Sequence, residues 1–83
     1  MSRYFFHVMD GRALVDTDGT ELADMAAVRA EAVRTAGEIL ADEDPSRFSE
    51  HDWQMTVADD KGKTVFLLYF KATDFTEPRL GSG

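Results

Sequence analysis

Residues 24–45 read DMAAVRAEAVRTAGEILADEDP, and this stretch decides the fold because it is the one long helical pattern in the sequence. At about 100° per residue its apolar side chains fall on a single stripe. The stripe consists of Met25, Val28, Ala32, Val33, Ala36, Ile39 and Leu40. Asp24 is a suitable N-cap, and the residue before Pro45 avoids the helical region. The sequence therefore predicts one amphipathic helix over about residues 25–42.

Short segments rich in aromatic and β-branched residues flank this helix on both sides. Residues 3–9 and 12–16 predict two strands around an Asp10-Gly11 turn, and a second turn follows at Asp18-Gly19. Residues 53–58 and 64–70 predict two more strands around a turn at 59–62. The order β-β-α-β-β predicts an α+β fold, a four-stranded and mainly antiparallel sheet with the helix on one face.

The same pattern gives the domain organisation. A chain of 83 residues is expected to form one domain. We assign residues 1–72 to a single α+β domain, with a polar loop at 45–52. Residues 73–83 lose the alternating pattern and are predicted to be a flexible C-terminal tail.

The first and last strands are apolar on both faces, although one helix covers only one face of a sheet. In the first strand one face contains Tyr4, Phe6 and Val8, and the other contains Phe5, His7 and Met9. In the last strand one face contains Val65, Leu67 and Tyr69, and the other contains Phe66, Leu68 and Phe70, so neither face is polar. We expect apolar surface to remain after the helix packs, and we expect a second copy of the chain to cover it. The predicted interface consists of Phe5, His7, Met9, Phe66, Leu68 and Phe70. The alternative is that the loop and the tail cover this face.

Composition excludes several classes of partner. Nine Lys and Arg residues stand against sixteen Asp and Glu residues, for a net charge of −7, which disfavours nucleic acid and anionic membranes. With no cysteine, disulfides and thiolate metal sites are excluded. The longest apolar run, residues 65–70, is too short to cross a bilayer, and no targeting segment is present. A cytoplasmic location is the expectation.

No motif for catalysis, metal binding or cofactor binding is found. The acidic run at residues 16–21 does not match a calcium loop, since aligning Gly19 with the loop glycine puts Leu14 and Met25 at ligand positions. The two histidines, His7 and His51, lack further ligands at metal-binding spacing. No serine lies in a glycine-flanked elbow, and no glycine-rich phosphate loop occurs. We expect a protein that is not an enzyme and needs no cofactor.

Arg29 is the one charged residue that the helical pattern places within the apolar stripe. Its guanidinium must reach the edge of the helix or pair with a carboxylate. Candidate partners upstream are Asp16, Asp18 and Glu21. Two interpretations stay open, namely an ion pair that ties the helix to the preceding turn and an anion or ligand site that uses the guanidinium.

Several motifs resemble those of a family of short bacterial proteins known as a domain of unknown function. They are RYFFHV at residues 3–8, the Asp10-Gly11 turn, GTELAD at 19–24, RAEA at 29–32, and V-x-D-x-x-G-x-x-V-x-x-L-x-F at 57–70. The resemblance covers residues 3–70 and implies no substrate, cofactor or catalytic residue. The sequence departs from the family pattern at Ala23, where proline is expected, and Asp24 can still cap the helix.

Three functions fit these observations. The first is a non-enzymatic binding module that forms a homodimer through an apolar sheet face. The second is an acidic adaptor or inhibitor, similar to an antitoxin or a nucleic-acid mimic, that binds a basic protein. The third is a small-ligand sensor built around Arg29 and His7.

Overall fold

The computed structural model describes residues 1–42 and 52–71, which form one helix packed on an antiparallel sheet. Its elements are β1 (Ser2–Met9), β2 (Ala13–Leu14), β3 (Thr20–Leu22), α1 (Met25–Asp42), β4 (Trp53–Ala58) and β5 (Thr64–Phe70). The α+β class is confirmed, and α1, β4 and β5 have the predicted bounds. The predicted tail over 73–83, and the predicted loop apart from Asp52, lie outside the described residues.

The returning strand of the first hairpin differs from the prediction. In place of one strand over residues 12–16, two short strands pair with opposite ends of β1: β2 lies opposite residues 8–9 and β3 opposite residues 2–4. Asp16 lies between them, and its carboxylate accepts a hydrogen bond from the backbone N–H of Phe6 at 3.1 Å. A side chain thus takes the place of a strand carbonyl at the middle of β1, which shortens the regular ladder.

The four main strands lie in the order β2-β1-β4-β5. β4 is central, pairing with β1 from Phe5↔Ala58 to Met9↔Gln54 and with β5 from Trp53↔Phe70 to Val57↔Phe66. The β4–β5 ladder then shifts by one residue, since Ala58 lies opposite Thr64. This irregularity is a β-bulge, with one extra residue on β5.

The core lies between α1 and one face of the sheet. Its buried members are Val8, Val28, Ala32, Ala36, Trp53, Met55 and Val57. Three of them are spaced four residues apart on α1, so they mark the centre of the buried stripe. Val33, which the sequence placed in the stripe, is 59% exposed. The helix is therefore rotated so that Arg29 and Val33 lie at the margin of the contact.

Local hydrogen bonds fix the ends of the elements. The carboxylate of Asp24 accepts from the N–H of Ala27 at 2.9 Å, as predicted for the N-cap. In the β4–β5 turn the Asp59 carboxylate accepts from the N–H groups of Lys61 and Lys63, both at 2.9 Å. These hydrogen bonds hold the pKa of Asp59 below its ordinary value.

Replacing Gly37 with alanine is expected to stabilise the domain by about 1 kcal/mol, since glycine is a poor residue inside a helix. Gly37 is exposed on α1, and a Cβ added there meets nothing within 4 Å. Gly62 is the matched control, because it has the same open space but a φ of +82° that alanine rarely adopts. Urea unfolding should show Gly37→Ala more stable and Gly62→Ala less stable than the parent. A loss of stability in Gly37→Ala would contradict the helical geometry.

Candidate functional site

The candidate site is the face of the sheet opposite α1, here called the uncovered face. The pairing register decides its members, because residues that lie directly opposite each other point to the same side of a sheet. His7 lies opposite Thr56, and Thr56 lies opposite Leu67. The uncovered face consists of Phe5, His7, Met9, Gln54, Thr56, Ala58, Leu67 and Tyr69.

Three apolar or aromatic side chains on this face are well exposed. Met9 is 47% exposed, Leu67 43% and Tyr69 67%. Phe5 and His7 are partly buried, and their rings lie nearly parallel with centroids 6.5 Å apart. Gln54 and Thr56 add polar groups along β4. The uncovered face is therefore mixed, with an apolar row along β1, another along β5, and a more polar row along β4 between them.

The predicted interface residues do not all lie on this face. Phe5, His7 and Met9 do, but Phe66, Leu68 and Phe70 lie on the helix side and pack against the core. The bulge explains this placement. A regular hairpin that continued the Ala58↔Thr64 pair would turn all three β5 residues away from the helix. The extra residue in the bulge reverses which side of β5 points toward the helix, so Leu67 and Tyr69 lie on the uncovered face instead.

Leu67 and Tyr69 are the residues that the prediction missed. The alternation of β4 contained part of the signal, because its polar residues Gln54 and Thr56 mark the face away from the helix. Finding Leu67 and Tyr69 also requires the register between β4 and β5. The register depends on the bulge, for which the sequence gives no local signal.

Asp16 organises the edge of the uncovered face. One carboxylate oxygen accepts from the N–H of Phe6, and the other accepts from the N–H groups of Asp18 and Gly19, each at 3.1 Å. The N–H of Asp16 in turn donates to Nδ1 of His7 at 3.1 Å. Because Nδ1 accepts this hydrogen bond, the neutral His7 ring carries its proton on Nε2. The network fixes the orientation of the His7 ring within the uncovered face.

The ionisation of Asp16 reflects this environment. Partial burial of its carboxyl group raises its pKa, but the hydrogen bonds from the backbone N–H groups of Gly19, Phe6 and Asp18, with a smaller contribution from His7, lower it more. The net effect is a pKa below the ordinary value for aspartate. Asp16 is therefore held as a carboxylate by the backbone groups that it joins.

The predicted ion pair of Arg29 is not formed with any of its three candidate partners. Arg29 is exposed on α1. Two of these candidate partners are instead contacted from β1 by Arg3, whose guanidinium donates to the carbonyl oxygen of Asp18 at 2.8 Å and pairs with Glu21 at 3.1 Å. Asp16 is occupied by backbone N–H groups. Arg3 could reach these residues because β3 pairs directly with the first residues of β1.

Within residues 1–42 and 52–71, no three His, Asp or Glu side chains are grouped closely enough to hold a metal ion. Over the same residues, the single helix is not long and apolar enough to span a bilayer.

Comparison with known families gives one result. The model of a family described as a domain of unknown function (DUF6894) matches residues 3–71. The chain belongs to this family. The DUF6894 match begins at Arg3 and includes all of α1, β4 and β5, and it confirms the resemblance to a domain of unknown function. No curated protein and no solved structure matches this DUF6894 chain.

Proposed function

We propose that the protein is a binding module that self-associates by packing its uncovered face against the uncovered face of a second copy. The observation that carries this proposal is the exposure of Met9, Leu67 and Tyr69 on one side of the sheet. Apolar surface of this kind, next to polar groups, is typical of an interaction site. A two-fold axis would place the same surface of each copy against the other.

The size of the uncovered face limits the strength of this contact. The three strands β1, β4 and β5, at about 4.8 Å spacing and each with about six residues rising about 3.3 Å, cover roughly 300 Å² in projection. A stable interface of standard size buries about 800 Å² on each partner. A single face-to-face contact is therefore expected to be weak and to depend on protein concentration.

The two alternative functions have less support. On α1, Arg34 pairs with both Glu31 and Glu38, at 2.6 and 2.8 Å, so this surface is not uniformly acidic as an acidic adaptor would require. A ligand site that joins Arg29 and His7 is also disfavoured. Arg29 lies on α1, on one side of the sheet, whereas His7 lies on the other.

Replacing Met9 with glutamate is expected to weaken self-association by about tenfold or more, because each interface would bury two unpaired carboxylates. Val33→Glu is the matched control. Val33 is 59% exposed on α1, so this variant makes the same change of charge outside the uncovered face. Sedimentation over a range of concentrations measures the association constants. Equal association of the two variants, or a parent protein that stays monomeric at near-millimolar concentration, would disprove the proposal.

A further inference from the structure

The two sides of the sheet differ in how well they can accept another strand. On the β1 side, β2 has two residues and β3 has three, and the Asp16 side chain fills the position between them. On the opposite side, β5 is a continuous strand of seven residues, and among the described strands it pairs with β4 alone. Unpaired backbone groups on a long edge strand are a template for strand addition. β5 is therefore the edge better able to accept another strand.

The register identifies which backbone groups of β5 point outward. Phe6 lies opposite Val57, but the Phe6 N–H donates to Asp16 and so points away from β4. In an antiparallel ladder, the two residues of a pair either exchange backbone hydrogen bonds or both point their N–H and C=O groups away from each other. The backbone N–H and C=O groups of Val57 therefore point toward β5.

The alternation then fixes the rest of the β4–β5 ladder. The backbone groups of Val57 point toward β5, so they form hydrogen bonds with Phe66. Hydrogen-bonded pairs recur every two residues, so Met55 forms backbone hydrogen bonds with Leu68. The intervening residues Leu67 and Tyr69 turn their N–H and C=O groups outward. These are also the two residues of β5 with the most exposed large side chains.

The sequence of β5 is compatible with pairing to itself. Centred on Leu68, an antiparallel pair of β5 strands places Leu67 opposite Tyr69 of the second copy and Phe66 opposite Phe70. Cross-strand aromatic and aliphatic pairs of this kind stabilise a sheet. Centred on Leu67, the same pairing would place Lys63 directly opposite Lys71, and like charges in that position are destabilising. Charge thus favours the register centred on Leu68 over the one centred on Leu67.

The net charge of the chain also favours this edge for a second copy. The protein carries a charge of −7, so two copies repel each other over most approaches. Residues 63–71 contain two lysines and no acidic residue. The acidic side chains that make two copies repel each other are therefore absent from this strand.

We propose that β5 pairs antiparallel with β5 of a second copy, in the register centred on Leu68, and thereby joins two sheets into one. The outward N–H and C=O groups of Leu67 and Tyr69 form the new ladder. Both helices then lie on the same side, and the two uncovered faces become one larger face. This inference extends the proposed function, because joined faces nearly double the area available for face-to-face packing. The two contacts together give a tetramer with two-fold symmetry.

Amide hydrogen exchange on the unmodified protein tests the pairing. At near-millimolar concentration the amides of Leu67 and Tyr69 should exchange at least about tenfold more slowly than at low-micromolar concentration. The amides of Phe66 and Leu68 bond to β4, so they should be protected at both concentrations. Rapid exchange of Leu67 and Tyr69 at high concentration would overturn the proposal. Their protection in a monomer would also overturn it, because the rest of the same chain would then cover the edge.

Two variants separate this contact from the face-to-face contact. Leu67→Pro removes an outward N–H, which an edge strand tolerates, and protection of the Leu68 amide verifies that its fold is intact. Leu67→Ala is the control, because it truncates the same side chain on the uncovered face but keeps the N–H, so only the effect of Leu67→Pro beyond that of Leu67→Ala reports on edge pairing. At a concentration where the parent is a tetramer, Leu67→Pro and Met9→Glu should each be a dimer, and the double variant a monomer. An unchanged mass for Leu67→Pro refutes edge pairing alone. An unchanged mass for Met9→Glu refutes the face-to-face contact alone.

Discussion

Replacing Met55 with alanine is expected to cost about 2–5 kcal/mol of unfolding free energy, the largest effect of a single substitution considered for this protein. Met55 is 0% exposed and lies on central β4, between Val8 of β1 and Leu68 of β5. Truncation removes buried methylene and sulfur contacts and leaves a cavity under the helix. A domain of this length has a total stability of about 4–12 kcal/mol, so the variant would retain a small fraction of it.

Met9→Ala is the control for this substitution. It makes the same chemical change on β1, where the side chain is 47% exposed on the uncovered face. Its expected cost is under about 1 kcal/mol, because little apolar surface is buried there. Urea unfolding at low-micromolar concentration keeps self-association from contributing to either value. Similar losses in the two variants would show that the helix does not cover the face that contains Met55.

Replacing Asp16 with asparagine is expected to destabilise the protein by about 1–3 kcal/mol at neutral pH. Asparagine keeps the size of the side chain but has one oxygen. It can still accept from the N–H groups of Asp18 and Gly19, whereas its NH₂ group would face the partly buried N–H of Phe6. A donor opposite a donor leaves both without a partner. Asp18→Asn is the control, since the Asp18 side chain is exposed and its backbone carbonyl still accepts from Arg3.

The same substitution has a defined dependence on pH. The folded state lowers the pKa of Asp16, so the carboxylate stabilises the fold above its unfolded value of about 3.9. This contribution is lost as the pH falls through the lower, folded pKa. The difference in unfolding free energy between the parent and Asp16→Asn should therefore be largest at neutral pH and shrink below about pH 4. A difference that does not change with pH would contradict the role of the charge.

Local signals in the sequence were sufficient for most of the fold. The bounds of α1, β4 and β5 were predicted correctly because each ends at a cap or turn within a few residues of the pattern that defines it. Asp24 caps α1 through a hydrogen bond to Ala27, and Asp59 closes the β4–β5 turn through Lys61 and Lys63. Such contacts span at most four residues and can be recognised from a short window.

Contacts between distant residues explain what the sequence did not reveal. The first hairpin divides into β2 and β3 because Asp16 bonds to the backbone of Phe6, ten residues earlier. Arg3 and Glu21 pair across eighteen residues, and no local pattern in the sequence joins these two positions. The membership of the candidate site depended on the same kind of information. Alternation within β1 and β5 gives two rows on each strand, but only the pairing with β4 shows which rows share a face.

The one-residue offset between β4 and β5 decides which side of β5 meets the core. If β5 kept all its residues but paired evenly with β4 from Ala58↔Thr64 onward, it would be rotated by half a turn about its own axis. Phe66, Leu68 and Phe70 would then be presented to water, while Leu67 and Tyr69 would be driven beneath the helix. Deleting the extra residue has no such effect, because Phe66 would follow Thr64 directly and stay opposite Val57. A slip of β5 by one residue, in contrast, would turn a sparingly apolar exterior into a surface prone to aggregation.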